Sequence, residues 1–195
     1  MTFDALLPRV KEVEREYRKI RYQSLIVDDA RKAAGRDGDR ELTYGTTTPR
    51  LALRILQEIL HAGPEDIFYD LGCGLGVPTI VASLFCKRAT GIDVLAPILD
   101  HPRKVAKALK LRNAKFIAGD FRQQDFSDGT AFYSYSTCLS PETRAAMAEK
   151  ISAAKPGARI ATVTHPLTHA KLEFVEKVTL RWGLTPHAIF LHKRL

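Results

Sequence analysis

Three acidic residues stand at the ends of short apolar runs: Asp70 in Ile67-Phe68-Tyr69-Asp70-Leu71, Asp93 in Ala89-Thr90-Gly91-Ile92-Asp93-Val94, and Asp120 just after Ala114 to Ala118. The first run leads directly into Gly72-Cys73-Gly74-Leu75-Gly76. Glycines between a buried strand and a helix let backbone approach a ligand where a side chain would collide with it. Their spacing is not that of the dinucleotide loop, whose third glycine would fall at Val77. A carboxylate at the tip of a second strand can accept two hydrogen bonds from ribose hydroxyls, which implies adenosine. Asp120 is placed to accept from an exocyclic amine while Phe121 lines the base. One such acid alone reads as a helix cap or a surface carboxylate. Three at successive strand ends, all on the carboxyl edge of one sheet, point to a nucleoside site.

The elements that must position these residues alternate. Phe3, Leu6, Leu7, Val10, Val13, Tyr17 and Ile20 recur at helical spacing, which predicts one amphipathic helix from Thr2 to about Lys32. The polar, glycine-containing stretch Gly35 to Arg40 reads as a loop, and the segment Gly35 to Thr48 as a cover over the site. Thr48 as cap and Pro49 at the first helical position open a helix toward His61. Strands are expected near Ile67–Leu71, Ala89–Val94, Ala114–Ala118, Ala131–Tyr135 and Arg159–Thr164, with helices between them. Leu172, Phe174, Val178, Leu180 and Trp182 then recur with period two, and a further strand follows at His187–His192. The expected fold is α/β: a Rossmann-like, doubly wound, seven-stranded sheet, mostly parallel, with a C-terminal antiparallel hairpin and an N-terminal helix before it. Residues 1–43 read as a helical segment with its cover loop, and 44–195 as the binding domain.

At 195 residues, 45% hydrophobic and 27% charged, the chain suits one ordinary domain and excludes a disordered or fibrous protein. The longest apolar runs, such as Ile80 to Cys86, fall well short of the roughly 18 residues that cross a bilayer. With no export signal read at the N-terminus, the expected location is the cytoplasm, where Cys73, Cys86 and Cys138 are reduced thiols. His165 and His169 have the spacing of helical metal ligands, but Pro166 between them and the lack of an accompanying carboxylate argue for no metal. The net charge is +8, and Lys87 to Lys115 alone carries eight basic residues against Asp93 and Asp100. Arg103, Lys107 and Lys110 are expected to share a helical face, either simply solvated or attracting an acidic macromolecule.

Phe68-Tyr69-Asp70-Leu71-Gly72-Cys73-Gly74-Leu75-Gly76 resembles the first motif of the class I S-adenosylmethionine-dependent methyltransferases. Tyr44-Gly45-Thr46-Thr47, Gly119-Asp120-Phe121 and Pro141-Glu142 narrow the resemblance to the Dot1-type lysine methyltransferases and their small prokaryotic relatives, over about Tyr44 to His165. The resemblance implies S-adenosylmethionine as cofactor, held by Tyr44, Gly45, Thr47, Asp70, Gly72, Gly74, Asp93, Asp120 and Phe121. It also implies methyl transfer to an exposed lysine of a protein partner, and the basic surface around Arg103, Lys107 and Lys110 should then bring in an acidic one. Tyr135 and Ser136, at the end of the fourth strand, are expected to wall the acceptor channel. Two departures stand out: Thr46 replaces the glutamate of the family's Tyr-Gly-Glu, and Tyr135-Ser136-Thr137 replaces its Asn-Asn-Phe. An RNA or small-molecule acceptor and a non-catalytic cofactor-binding module are the alternatives. The expected assembly is a monomer or weak dimer.

Overall fold

The computed structural model describes residues 2–20, 23–43, 45, 47–182 and 185–195. Its centre is a seven-stranded sheet made by β1 (Ile67–Leu71), β2 (Arg88–Asp93), β3 (Ala114–Ala118), β4 (Ala131–Ser134), β5 (Arg159–Val163), β6 (Leu172–Trp182) and β7 (Thr185–Arg194). The order is β3-β2-β1-β4-β5-β7-β6. β1 to β5 pair in parallel, and β7 pairs antiparallel with both β5 and β6. The hairpin expected from the period-two tail is therefore present, with a bulge between Phe174 and Glu176 on its outer strand. Such a bulge disfavours further pairing along an exposed edge.

Strand order reverses between β1 and β4. Chain leaving β1 turns one way and chain leaving β4 the other, which opens a crevice at their carboxyl ends, where Asp70, the glycines and Tyr135 lie. Alternation along the strands sends side chains to two apolar layers. Phe68 and Tyr133 join one layer beneath α1 (Phe3–Arg18), α3 (Pro49–Arg54) and α4 (Val77–Ala82), and Tyr69 and Phe132 join the other beneath α6 (Pro141–Ile151). In the second layer the Tyr69 and Phe132 rings stack at 5.6 Å, and Phe126 meets both edge-on at 5.0 and 5.7 Å.

The N-terminal region departs from the single helix expected to Lys32. It forms α1 and then α2 (Gln23–Ala33). At the end of α1 the turn tightens, with the Lys19 and Ile20 amides donating to the carbonyls three residues back, and the Gln23 side-chain amide donating to the Tyr17 carbonyl at 3.4 Å. These bonds satisfy carbonyls that a continuing helix would have used. The helix toward His61 starts as expected, Thr48 Oγ1 accepting from the Leu51 amide at 3.3 Å, and widens to a π turn over Ile55–Ile59. α5 (Asp100–Ala108) ends before Lys110, which adopts a left-handed conformation (φ 56°) and lets Leu111 N donate to the Ala106 carbonyl. Arg103 and Lys107 thus share a helix face and Lys110 does not. Arg103 is also engaged, donating to Asp100 and to the Phe116 carbonyl. No described helix is long and apolar enough to cross a membrane.

Phe132 has no exposed surface and touches two other rings. Phe132→Ala is expected to lower unfolding stability by about 3–5 kcal/mol, read by urea denaturation as an earlier midpoint with an unchanged slope.

Candidate functional site

The glycine loop between β1 and α4 is held by its own backbone. The Gly72 and Cys73 amides both donate to the Ile92 carbonyl at 3.0 Å, Gly76 N donates to the Cys73 carbonyl at 2.8 Å, and Gly74 N donates to Asp93 Oδ2 at 2.8 Å. Those four N–H groups are used inside the protein. At Gly76 (φ 72°) a Cβ would lie 2.6 Å from the Phe116 ring and 2.8 Å from Pro102, so a side chain would force β3 and α5 away. At Gly72 (φ 74°) a Cβ would meet nothing within 4 Å. The space over Gly72 belongs to the cleft.

Asp70 sits beneath this loop with 1% of its surface exposed. Its carboxylate accepts from Thr79 Oγ1 at 2.8 Å and from the Thr79 amide, in the first turn of α4, where Pro78 offers no N–H of its own. In dinucleotide folds a helix start in this position receives a phosphate. Here the protein's own carboxylate fills it, which is the wrong electrostatics for a phosphate and the right one for a cation. Burial pushes the Asp70 carboxyl up to about 7, against the lowering effect of the Thr79 bonds.

Asp93 lies at the tip of β2. Its Oδ2 accepts from Gly74 N and its Oδ1 from Leu95 N at 2.9 Å, so each oxygen keeps a lone pair for a ribose hydroxyl. Burial raises its pKa in spite of these amides and the Arg36 guanidinium nearby. Asp120 caps the short turn at Phe121–Gln123 and shares its carboxylate with Arg122, accepting from the backbone amide at 2.8 Å and from Nε at 2.7 Å. That bond to Arg122 holds it below the usual carboxylate range. Phe121 is 9% exposed, and both residues line the cleft.

At the far end, Thr47 Oγ1 and the Tyr133 hydroxyl lie 3.3 Å apart, both buried. Tyr135 is half-buried and lies against Gly45, where a Cβ would come within 2.5 Å of its ring. The rings of Tyr135 and His187 on β7 are 6.4 Å apart. Ser136 behaves differently from its neighbour. It has no exposed surface, it donates to the Val163 carbonyl at 2.8 Å, and it is absent from the cleft wall, so of the two expected wall residues only Tyr135 faces the ligand space. Tyr44 and Thr46 lie outside the described residues.

The cleft gathers Gly45, Thr47, Asp70, Gly72, Gly74, Asp93, Asp120, Phe121 and Tyr135 around about 1140 Å³, its open mouth included. Arg36, Glu41, Leu42 and Thr43, Val27 from α2, and Leu139 and Thr143 are among the further wall residues and had not been expected individually. Residues 35–43 therefore stand where a cover would. Nothing in local sequence marks Glu41, because the groups it bonds lie 99 and 102 positions away. Of the three thiols, burial pushes Cys86 up to about 12 and Cys73 well up, leaving both unreactive.

Residues 68–157 match the family described as a methyltransferase domain, the class that the sheet order and the strand-tip acids define. The chain is similar to class I S-adenosylmethionine-dependent methyltransferases in this segment and in its fold. It is 26% identical over 161 residues to the histone-lysine N-methyltransferase, H3 lysine-79 specific, of Dictyostelium discoideum, a match covering 72% of this chain and 8% of that protein's length. It is 26% identical over 148 residues to a protein-lysine N-methyltransferase of Saccharolobus islandicus, covering 74% of this chain and 89% of the relative. The crystal structure of an RNA methyltransferase from Salinibacter ruber in complex with S-adenosyl-L-homocysteine superposes with a TM-score of 0.63 at 21% identity, covering 76% of this chain and 92% of that one.

The residues fit S-adenosylmethionine. The cofactor is a cationic nucleoside without phosphate, and the cleft provides a buried carboxyl at a filled helix start, a second carboxylate with free lone pairs, and open room over Gly72. Asp93→Ala is expected to weaken S-adenosylhomocysteine binding by about 1.5–3 kcal/mol in calorimetry through loss of charge-assisted bonds.

A second expectation concerns pH. Because the Asp70 pKa is raised on folding, the folded protein holds its proton more tightly than the unfolded chain does. Cofactor-free stability should fall as pH rises from about 4 toward 7, by up to a few kcal/mol from this group. Asp70→Asn should flatten that dependence in thermal unfolding at a series of pH values.

Proposed function

We propose that this chain catalyses methyl transfer from S-adenosylmethionine to a lysine side chain of a protein partner. The observation that carries this reading is the half-buried Tyr135 at the carboxyl end of β4, seated on the Gly45 backbone beside the cleft. It forms a slim aromatic wall that suits an extended side chain. The similarity to two proteins described as lysine methyltransferases supports the same reading.

The cofactor, when bound, supplies an electrophilic methyl group on a sulfonium. What remains for the protein is alignment and exclusion of water, since the transfer is an in-line displacement. Asp93 orients the ribose, Asp120 and Phe121 the base, and Thr47 with Tyr133 closes the far end. A lysine amine must arrive neutral, and bringing a pKa of about 10.4 to neutrality takes roughly 4–5 kcal/mol of differential interaction. Desolvation against an aromatic wall supplies such a shift without a dedicated base. The exposed Lys104 and Lys107 on α5 would favour an acidic partner, with association weakening as salt screens it.

Labelled cofactor added to a cell lysate tests the acceptor class. Label removed by protease and resistant to nuclease supports lysine in a protein, and the opposite result installs an RNA acceptor. In the same assay Tyr135→Ala is expected to lose transfer while retaining S-adenosylhomocysteine affinity, and full activity in that variant would overturn the wall assignment.

A further inference from the structure

Residues 34–43 cover the cofactor cleft, yet among the described residues their hydrogen bonds stay almost wholly local. Arg36 donates to Asp39, Thr43 Oγ1 donates to the Arg40 carbonyl, and the backbone amides of Gly35, Arg36, Asp39, Leu42 and Thr43 reach back only three to five residues. Glu41 is the exception. Its Oε1 accepts from the Ser140 amide at 2.6 Å, and Thr143 Oγ1 lies 3.0 Å from both of its oxygens.

These partners are specific. Ser140 caps α6, its Oγ accepting from the Thr143 amide at 3.1 Å, so the Glu41 carboxylate sits at the start of an eleven-residue helix whose dipole favours an anion there. Asp39 aims the residue by accepting from the Glu41 amide at 3.0 Å. The turn at 40–42 also packs against the turn at Ser136–Cys138, which directly follows Tyr135. Burial pulls the Glu41 carboxyl up, and the bonds from Ser140 and Thr143 outweigh it, leaving the group below its usual range and ionised at neutral pH.

We propose that Glu41 is a positioning residue that latches the cover to the start of α6. It holds Arg36 and Leu42 over the bound cofactor, and through the 136–138 turn it ties the closed cover to the acceptor wall. Cofactor release is slowed while the Glu41 bonds to Ser140 and Thr143 hold. The inference rests on the cofactor assignment alone and is indifferent to whether the acceptor is lysine.

The test uses the full chain and S-adenosylhomocysteine. Its dissociation rate, followed by competition in stopped flow, should rise about tenfold to a hundredfold in Glu41→Ala, the range for loss of a charge-assisted hydrogen bond. Glu41→Gln keeps an oxygen that can accept from the Ser140 amide and should fall between. Thr143→Val removes one partner of Glu41, at a position that also lines the cleft, and should also speed release, less than additively with Glu41→Ala. In cofactor-free protein the Ser140 amide should exchange faster with deuterium in Glu41→Ala, a readout that needs no ligand. Unchanged dissociation in both Glu41→Ala and Thr143→Val, with wild-type unfolding temperature, overturns the latch. If Glu41→Ala does not fold, the dissociation rates of Glu41→Gln and Thr143→Val decide. If S-adenosylhomocysteine fails to bind the wild-type chain, the cofactor assignment falls and Ser140 exchange alone judges the Glu41 contact.

Discussion

The rest of the site depends on one buried carboxylate at the start of a short helix. Asp70 ends β1 under the glycine loop and accepts from the side chain and the amide of Thr79. By occupying the first turn of α4 from inside, it converts a position that in other doubly wound sheets attracts phosphate into one that favours positive charge. The glycine loop then has a different task. With the amides of residues 72, 73, 74 and 76 engaged internally, it offers close approach and not a nest of donors. The arrangement costs stability, since burial opposes ionisation of Asp70. A cationic ligand offsets that cost only when bound, so binding strength and the strain of the empty site come from the same group.

Topology places the other contributions around that point. Because the chain leaving β1 and the chain leaving β4 turn opposite ways, each neighbouring strand tip delivers one group to the same crevice: Asp93 from β2, Asp120 from β3, Tyr135 from β4. The bond from Gly74 N to Asp93 makes the loop and the β2 tip one unit. α1 is tied into it as well, the Tyr17 hydroxyl donating to the Leu75 carbonyl at 2.7 Å from the far side. The N-terminal helix is thus more than a cap on the core, because displacing it would release a carbonyl of the loop that approaches the cofactor.

What could be read from the residues alone follows from range. Asp70, the glycines, Asp93 and Asp120 each announce themselves within a few positions, since a strand tip and the turn after it are local features. The seven strands with their closing hairpin were readable because hydrophobic period separates strand from helix along the chain. Features that depend on distant partners were not. The tightened turn after Lys19 splits what periodicity alone makes one helix, and the left-handed Lys110 takes a place where glycine is the usual signal. Ser136 looked like a neighbour of Tyr135 in the channel, but its hydroxyl is committed to the Val163 carbonyl across the sheet. Glu41 carries no local mark, for its meaning comes entirely from Ser140 and Thr143.

Cofactor and acceptor are governed by different parts of the chain, and this explains why one is easier to infer than the other. The groups that would hold the nucleoside are buried or pinned by backbone on rigid strand tips, so their chemistry leaves few alternatives. The acceptor end rests on Tyr135, the turn that follows it and the cover, all at the rim. Rim side chains can change without disturbing the buried carboxylates, so the same crevice serves different nucleophiles in proteins that share the fold. Selectivity then depends on how tightly the rim closes around the incoming group. Tyr135, at the end of β4 and against Gly45, is the rim residue placed to shape that opening, so the acceptor is decided there and not by the fold.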